Sequence, residues 1–343
     1  MKRLLAGVCL AVLGTVGLAT PASADAPGPT DYRSEIVEIE PSTPTIHPSI
    51  VGGDSFVRLQ VDAGVEAIVA GYEGEGYLWF RADGDVFENQ NSPATYVNSS
   101  RYGGERVPDH ADADAEPDWT QVASGGDWAW HDHRAHWMHS ARPFGVGPGD
   151  QILESVIPIT VDGTPVDVTV TSTWLPEASP VPAILGAIGG VAMVALAWAL
   201  RRRPAGLPPI AAAVPVALLT LLVGSWQYVS LPASTGPRPV WFVLPLIATL
   251  CAAAGTIAGS RGRSFVADAL LLMVGVELAI WGYLKREGLT AAIVPTDAPQ
   301  WLDRLVTAMG LASGVGFVAL ALWSLFAISG STAQTGSPRP VHP

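Results

Sequence analysis

The sequence predicts an all-β exterior domain, an immunoglobulin-like antiparallel sandwich in the broad sense, followed by an all-α polytopic membrane domain. Apolar and polar residues alternate with period two between residues 31 and 176, and five long apolar runs follow Pro180. In addition, 49% of the 343 residues are hydrophobic and only 15% are charged. This balance is too apolar for one ordinary soluble domain of that length.

The first 24 residues have the three parts of a secretory signal peptide. Lys2 and Arg3 precede an apolar run, and Ala22–Ala24 forms a small-residue cleavage motif. We expect residues 1–24 to be removed, so that the mature chain begins at Asp25. An uncleaved N-terminal anchor is the alternative.

The exterior domain, residues 25–178, contains several predicted strands. They are carried by "RSEIVEIEP", by "DSFVRLQVDAG", and by "EAIVAGYEGEGYLWFRADGDVFEN", which holds two strands around the turn "RADGD". The last segment, "DQILESVIPITVDGTPVDVTVTSTWLP", predicts two long strands joined through Asp162-Gly163, a strong hairpin signal. No segment predicts a helix here, which favours an antiparallel sandwich.

The membrane domain, residues 179–330, has five runs of about the 20 residues that cross a hydrocarbon core. The strongly charged residues inside them are Asp268 and Glu277. A cytoplasmic tail, 331–343, follows. The predicted helices are 181–200, 207–231, 239–259, 264–284 and 305–328.

Arginines predict the orientation of these helices. Arg201–Arg203 follow the first helix, and Arg261 and Arg263 lie between the third and fourth. Such clusters stay in the cytoplasm, so the domain before Pro180 is expected outside the cell membrane and the C-terminus inside. The predicted signal peptide requires the same placement.

Glu277 is the intramembrane functional candidate, because an ionised carboxylate is costly near the middle of a membrane helix. A protonated or hydrogen-bonded Glu packed between helices is the alternative. Asp268 lies nine residues away, on the opposite face of the same helix, near its cytoplasmic end where water is within reach. The segment between the last two helices, 284–305, is expected to pack against the exterior domain and to carry interfacial anchors, namely Trp301 and the cationic residues, among them Lys285 and Arg304.

Charge is distributed unevenly along the chain. Residues 25–178 hold 26 Asp and Glu against 7 Lys and Arg, whereas the rest of the chain after Ala178 holds 5 against 10. An acidic exterior domain repels nucleic acid and attracts cations, so nucleic-acid binding is excluded.

The acids of "DHADADAEPD" (109–118) begin like an EF-hand loop at Asp112, but the required glycine and final glutamate are missing, which favours an exposed acidic loop.

The segment "WAWHDHRAHWMH", Trp128 to His139, holds four of the seven histidines. As a strand, it would place His131 and His133 on one face, and a His-x-His pair is a common nucleus of a Cu(II) or Zn(II) site. His136 joins them only if the strand bends or ends near Ala135.

His139 lies further along the same face as the predicted pair, and Met138 adds a thioether that favours copper over zinc. Cys9 lies in the signal peptide and Cys251 in a membrane helix, so imidazoles must do most of the ligation. The alternative is a polar seam in which Asp132 and Arg134 form an ion pair and the histidines bond neighbouring loops. The chain lacks the hydrolase, nucleotide-binding and zinc-protease motifs, so catalysis is not predicted.

The segments "PTDYRSEIVEIEP", "SPATYVN" and "WHDHRAHWM" resemble a group of uncharacterised actinobacterial membrane proteins, which have a secreted β-domain followed by membrane helices. The architecture is also similar to bacterial copper-resistance proteins that join a CopC-like sandwich to a CopD-like polytopic domain. The CopC pattern has a histidine at the mature N-terminus, where this chain has Asp25, so neither its ligand set nor copper itself transfers from this resemblance.

The sequence thus predicts an integral protein of the lipid bilayer whose exterior domain binds a divalent metal, copper before zinc, for handling or sensing at the cell envelope. The alternative is a non-catalytic interaction or assembly protein with an envelope protein partner. A third hypothesis is a transporter that uses Glu277.

Overall fold

A computed structural model of the chain contains antiparallel β-sheet between residues 32 and 174 and long apolar helices between 181 and 334. The predicted order of a β domain and a helical membrane domain is confirmed. The predicted signal peptide, and the predicted tail from residue 335 onward, lie outside the described residues. The structure describes residues 26–139, 141–203 and 206–334, with side chains as far as residue 326.

The described residues form ten strands: β1 (Tyr32–Glu40), β2 (Ile46–Val51), β3 (Phe56–Val61), β4 (Ala67–Ala70), β5 (Gly76–Phe80), β6 (Val86–Asn89), β7 (Trp119–Ala123), β8 (Asp127–Trp130), β9 (Gln151–Val161) and β10 (Thr164–Trp174). They make a seven-stranded sheet of order β1-β10-β9-β4-β5-β6-β7 and a three-stranded sheet of order β2-β3-β8. All neighbours are antiparallel.

The hairpin of β9 and β10 forms at the predicted turn. Val161 pairs with Thr164, and the two residues between them have positive φ, 46° at Asp162 and 79° at Gly163. Two consecutive positive φ angles characterise the turn whose twist matches that of the flanking strands. The valines of β10 then alternate inward, as a strand with one buried face requires.

Strand β1 contains a β-bulge that explains its mixed sequence pattern. Its register against β10 shifts between Ile36 and Glu38, and Val37 is 55% exposed. Because a bulge puts two residues opposite one, the alternation restarts after it. Ile36 and Ile39, three residues apart, therefore both pack against the core.

Several elements of the β domain differ from the prediction. The segment around "RADGD" forms three strands, β4 to β6, where two were predicted, because a second turn at Gly71–Glu75 separates β4 from β5. Strands β2 and β7 were not predicted. A short helix, α1 (Pro93–Val97), occurs where no helix was predicted, and Ser92 caps it by accepting a hydrogen bond from the Ala94 amide.

The two sheets enclose one core. Leu59 of β3 and Trp130 of β8 belong to the same buried cluster as Leu78 of β5 and Ile157 of β9. The small sheet therefore covers the large sheet, and residues 131–139, which follow β8, begin at the rim of this core.

The membrane domain has the five predicted helices. The last begins at Gln300, five residues before the predicted start, and continues to Gln334, into the predicted tail. The 3₁₀ turn Pro209–Ala213 leads into the second. They are α2 (Val181–Arg201), α3 (Val214–Val229), α4 (Val240–Ser260), α5 (Ser264–Leu284) and α6 (Gln300–Gln334).

A proline inside α4 organises the contact between α3, α4 and α5. Pro245 has no amide hydrogen, so it cannot donate to the Trp241 carbonyl one turn earlier. The indole of Trp281, which is fully buried, donates to that oxygen instead, at 2.9 Å. Gly224 leaves room for the same carbonyl, since a Cβ there would collide with it.

The segment between α5 and α6 packs against the β domain, as predicted. Thr30 and Ile293 exchange two backbone hydrogen bonds of 2.9 and 3.0 Å, and the Asp31 carboxylate accepts from the Ala292 amide at 2.9 Å. The connection between α3 and α4 also contacts the β domain, because the Ala129 amide of β8 donates to Ser234 Oγ.

Two cationic residues predicted as interfacial anchors are buried instead. Lys285 is 5% exposed and pairs with Asp303 at 2.5 Å. Arg304 is 6% exposed and donates to the carbonyls of Gly288, Ala291 and Ala292. Both residues therefore hold in place the segment between α5 and α6, which contacts the β domain. Trp301 is 56% exposed, as expected for an interfacial anchor.

Candidate metal centre

The histidine-rich segment begins as a strand and continues as a turn. Strand β8 pairs with β3 only as far as Trp130, so the histidines that follow are not on a strand, and the condition under which His136 can join the others is met. Asp132 explains the turn, because its carboxylate accepts from the Arg134 amide at 3.0 Å and its carbonyl from the Ala135 amide at 2.8 Å. Asp commonly forms such local turns in place of strand pairing.

The predicted ion pair between Asp132 and Arg134 is present and buried. Arg134 contacts the carboxylate through two nitrogens at 2.8 Å, and the Trp130 indole donates to the same group at 3.0 Å. Asp132 is fully buried. Arg134 also donates to the Ala70 carbonyl of β4, so the pair ties the turn to the large sheet.

Each of the first three histidines in the segment contacts a backbone carbonyl through one ring nitrogen. His131 stacks on Phe56 with ring centroids 3.9 Å apart, and its Nδ1 donates to the Ser55 carbonyl at 2.6 Å. His133 Nε2 donates to the Ser100 carbonyl at 3.0 Å, and His136 Nδ1 to its neighbour Trp137 at 3.2 Å. Such bonds fix the tautomer and orientation of each ring.

The turn places His136 beside both other rings. Its centroid lies 5.4 Å from that of His133 and 6.3 Å from that of His131, and its own side chain is 1% exposed. Its Nε2 is buried and has no hydrogen-bond partner within the described part of the chain. The closest pair of histidine rings is therefore His133 and His136. A continuous strand would have placed these two rings on opposite faces.

The surroundings of His136 keep it neutral. Burial lowers its pKa to about 3, and the positive charge of Arg101 and the two neighbouring imidazoles act in the same direction, against the Trp137 carbonyl. Neutral imidazole is the form that binds metals.

The other two predicted ligands are placed differently. His139 is exposed, and the ring contact it makes is with Trp137, at 5.2 Å. Met138 is half-buried, and its methyl group faces Gly103, beside the His133 ring: a Cβ at Gly103 would lie 3.6 Å from Met138 Cε and 3.2 Å from His133 Cε1. The structure thus brings Met138 to the histidines and leaves His139 at the surface.

Two residues near the histidines were not predicted from the sequence: Arg101, in the loop after α1, and Tyr72, in the turn between β4 and β5. Arg101 reaches the fully buried Asp54 at 2.5 Å and Ser55 Oγ at 3.0 Å, immediately before Phe56 and the carbonyl that holds His131. The Tyr72 hydroxyl accepts from the His133 amide at 3.0 Å. These contacts join residues far apart in sequence, and no local pattern signals them.

No group of three or more His, Cys, Asp or Glu side chains is arranged to hold a metal ion within the residues that the structure describes. The acidic loop 109–118 is mostly exposed, as predicted. Its Asp112 carboxylate accepts from the Asp114 amide at 2.9 Å, which is a local turn.

The two intramembrane carboxylates have different surroundings. Asp268 is 5% exposed and pairs with Arg201 at the end of α2, so a cation compensates its charge. Glu277 is 2% exposed, and its Oε2 has no partner among the described residues.

Comparison with known proteins adds no assignment. No family model, curated protein or solved structure matches the chain.

Proposed function

We propose that this polytopic membrane protein binds copper, or less favourably zinc, in its β domain, for metal handling or sensing at the cell envelope. The observation that carries the proposal is the association of His133 with His136. Two imidazoles bound to one tetrahedral ion, with metal–nitrogen bonds of about 2.0–2.1 Å, have centroids roughly 5 Å apart. The two rings are 5.4 Å apart.

The hydrogen bonds of these two rings support the proposal. Ring nitrogens that bind metals leave the other nitrogen to donate to a carbonyl or carboxylate, which orients the ring. His133 uses Nε2 for Ser100, and His136 uses Nδ1 for Trp137. The opposite nitrogens, Nδ1 of His133 and Nε2 of His136, are therefore the proposed ligands.

Met138 supports copper over zinc. Its thioether is a soft ligand, which suits Cu(I) and is uncommon for zinc. Gly103 provides the space in which its methyl group and the His133 ring lie side by side, and the φ of +65° at Gly103 disfavours any other residue. We propose His131 as a neighbouring imidazole that completes the site, and His139 as a surface residue that joins only if the segment moves.

A titration of the full-length chain in detergent tests this function. The metal-free protein is titrated with Cu(II), with Zn(II), and with Cu(I) under reducing conditions. We expect the variant His133→Ala/His136→Ala to lose at least tenfold in copper affinity. The matched control is His47→Ala/His110→Ala, which removes two exposed histidines and leaves the affinity unchanged. Equal affinities for the two double variants would overturn the proposal.

A second candidate function is a non-catalytic interaction or assembly protein with an envelope protein partner, in which the histidines form a structural seam. Arg101 favours it, because a fixed positive charge acting on His136 opposes a bound cation. Under this hypothesis, metal does not bind, and His133→Ala/His136→Ala lowers the melting temperature of the metal-free chain. Chemical cross-linking in intact cells then returns a partner in metal-depleted medium.

We also propose that the β domain lies outside the membrane and the C-terminus inside. Residues 201–203 and 261–263 lie at the end of the bundle opposite the β domain, where Arg201 pairs with Asp268. Lys285, Arg286 and Arg304 at the β-domain end count against this orientation, but they are fewer and less clustered than the arginines at the opposite end, which support a cytoplasmic location of that end.

We also propose that the β domain is immunoglobulin-like, and two sheets around one core support this class. The resemblances to actinobacterial membrane proteins and to CopC and CopD are part of the same proposal on the fold.

A further inference from the structure

Glu277 occupies an unusual position in the helical bundle. It lies seven residues before the end of α5, its side chain is 2% exposed, and no hydrogen bond or ion pair to it occurs within the described residues. Carboxylates inside membrane helices usually pair with a cation or face water. The lack of such a partner requires an explanation.

The other charged groups buried in the bundle and its connecting segment are compensated. Asp268 pairs with Arg201, and Lys285 pairs with Asp303. Arg304 donates to three carbonyls, Gly288, Ala291 and Ala292. Glu277 therefore differs from every other buried charged group of the described bundle.

Among the described side chains, the elements packed against α5 supply no cation near Glu277. The titratable side chain of α4 is the Cys251 thiol, which lies close enough to interact with the carboxylate, and that of α3 is Tyr228. Asp303 and Arg304, at the start of α6, belong to the compensated group at the end of α5. Lys285 follows Glu277 by eight residues, or about 12 Å along a helix, and it is already paired.

We propose that Glu277 is a proton-binding site inside the membrane domain, loaded with a proton when the protein is at neutral pH. An unpaired carboxylate away from water costs several kcal/mol, whereas a carboxylic acid costs much less. A metal cation would need several oxygen ligands, and the other buried carboxylates of the described bundle, Asp268 and Asp303, are paired with Arg201 and Lys285. The proposal is independent of the histidine site.

Infrared spectroscopy of the full-length chain in a maltoside detergent, which has no ester carbonyl to mask the band, tests it. A protonated carboxyl has a carbonyl stretch that carboxylates and amides lack. We expect this band to be present at pH 7 and absent from Glu277→Gln, a variant that has the shape of the neutral acid and should melt at the same temperature. The control is Asp268→Asn, which removes a paired carboxylate and should leave the band unchanged.

Chemical modification gives a second measurement. Dicyclohexylcarbodiimide, an apolar reagent, adds to protonated carboxyl groups, and mass spectrometry of the digested chain locates the adduct. We expect modification at Glu277 that declines as the pH rises. Absence of both the infrared band and the adduct would overturn the proposal. Protection of Glu277 from the reagent by Na⁺ or K⁺ at constant pH would also overturn it, in favour of a cation site.

Discussion

His136 should make the stability of the β domain depend on pH. Its pKa is about 3 in the folded chain and ordinarily 6.5, so between these values the unfolded state binds more protons. Stability therefore falls as the pH drops from about 6.5 toward 3, by on the order of 5 kcal/mol in total, of which roughly 3 kcal/mol is lost between pH 6.5 and pH 4. Thermal unfolding of the full-length chain from pH 7.5 to pH 4 measures this loss.

The variant His136→Gln isolates the contribution of this residue. Glutamine does not titrate in this range, so the variant should lose less stability between pH 7.5 and pH 4 than the native chain, whatever its stability at neutral pH. His110→Gln replaces an exposed histidine and should keep the native dependence. Parallel curves for His136→Gln and the native chain would show that His136 is not held neutral.

The buried pair of Asp132 and Arg134 should be essential to the turn. Asp132→Asn leaves a buried guanidinium without its counter-charge, which typically costs about 3–5 kcal/mol. We expect a large fall in melting temperature. The control is Asp109→Asn, in the exposed pair with Arg106, where little change is expected. A fall of equal size in both variants would contradict this assignment.

At the scale of residues, the sequence was a good guide to local contacts and a poor one to distant contacts. Asp132 and Arg134 are two positions apart, so their pairing was predictable. The association of His136 with His133 depends on where β8 ends, and that is decided by the Asp132 turn. The pair of Arg101 and Asp54 joins two loops 47 positions apart, which no single-sequence pattern reports.

Among the elements, the β9–β10 hairpin should be sensitive at its turn. Gly163 has φ of +79°, a conformation that costs other residues roughly 1 kcal/mol or more. Gly163→Ala should therefore lower the melting temperature. Gly28→Ala is the control, because its added Cβ meets no atom within 4 Å and its φ is not positive. Equal melting temperatures for the two variants would mean that the turn is not strained by a side chain.

The contact of Trp281 with Trp241 allows a test by a double-mutant cycle. Trp281→Phe removes the indole donor and leaves the Trp241 carbonyl unsatisfied, at a cost of about 1–3 kcal/mol. Pro245→Ala supplies a backbone amide for the same carbonyl. In the Pro245→Ala background, Trp281→Phe should therefore cost less than in the native chain. Additive losses of stability would show that the two donors do not serve one acceptor.

The elements differ in how well the sequence predicted them. Membrane helices need about 20 apolar residues, a constraint strong enough to locate all five. The larger differences are at both ends of α6 and at the start of α3, where the 3₁₀ turn Pro209–Ala213 precedes the helix. Strands such as β4 and β6 have four residues each, and their boundaries depend on turns and on pairing partners. Strand β2 contains a proline and an exposed histidine, so its sequence lacks the expected alternation.

For the whole molecule, the distribution of charge predicts which side of the membrane each end occupies. The β domain is strongly acidic, and arginines lie at the opposite end of the bundle. Thr164→Cys, in the exposed turn of the β9–β10 hairpin, and Ser260→Cys, at the arginine-rich end, provide labelling sites in a Cys251→Ala background. A membrane-impermeant maleimide should label residue 164 in intact cells, and residue 260 only after permeabilisation. Labelling of residue 260 alone in intact cells would reverse the orientation, and it would place the histidine cluster in the reducing cytoplasm.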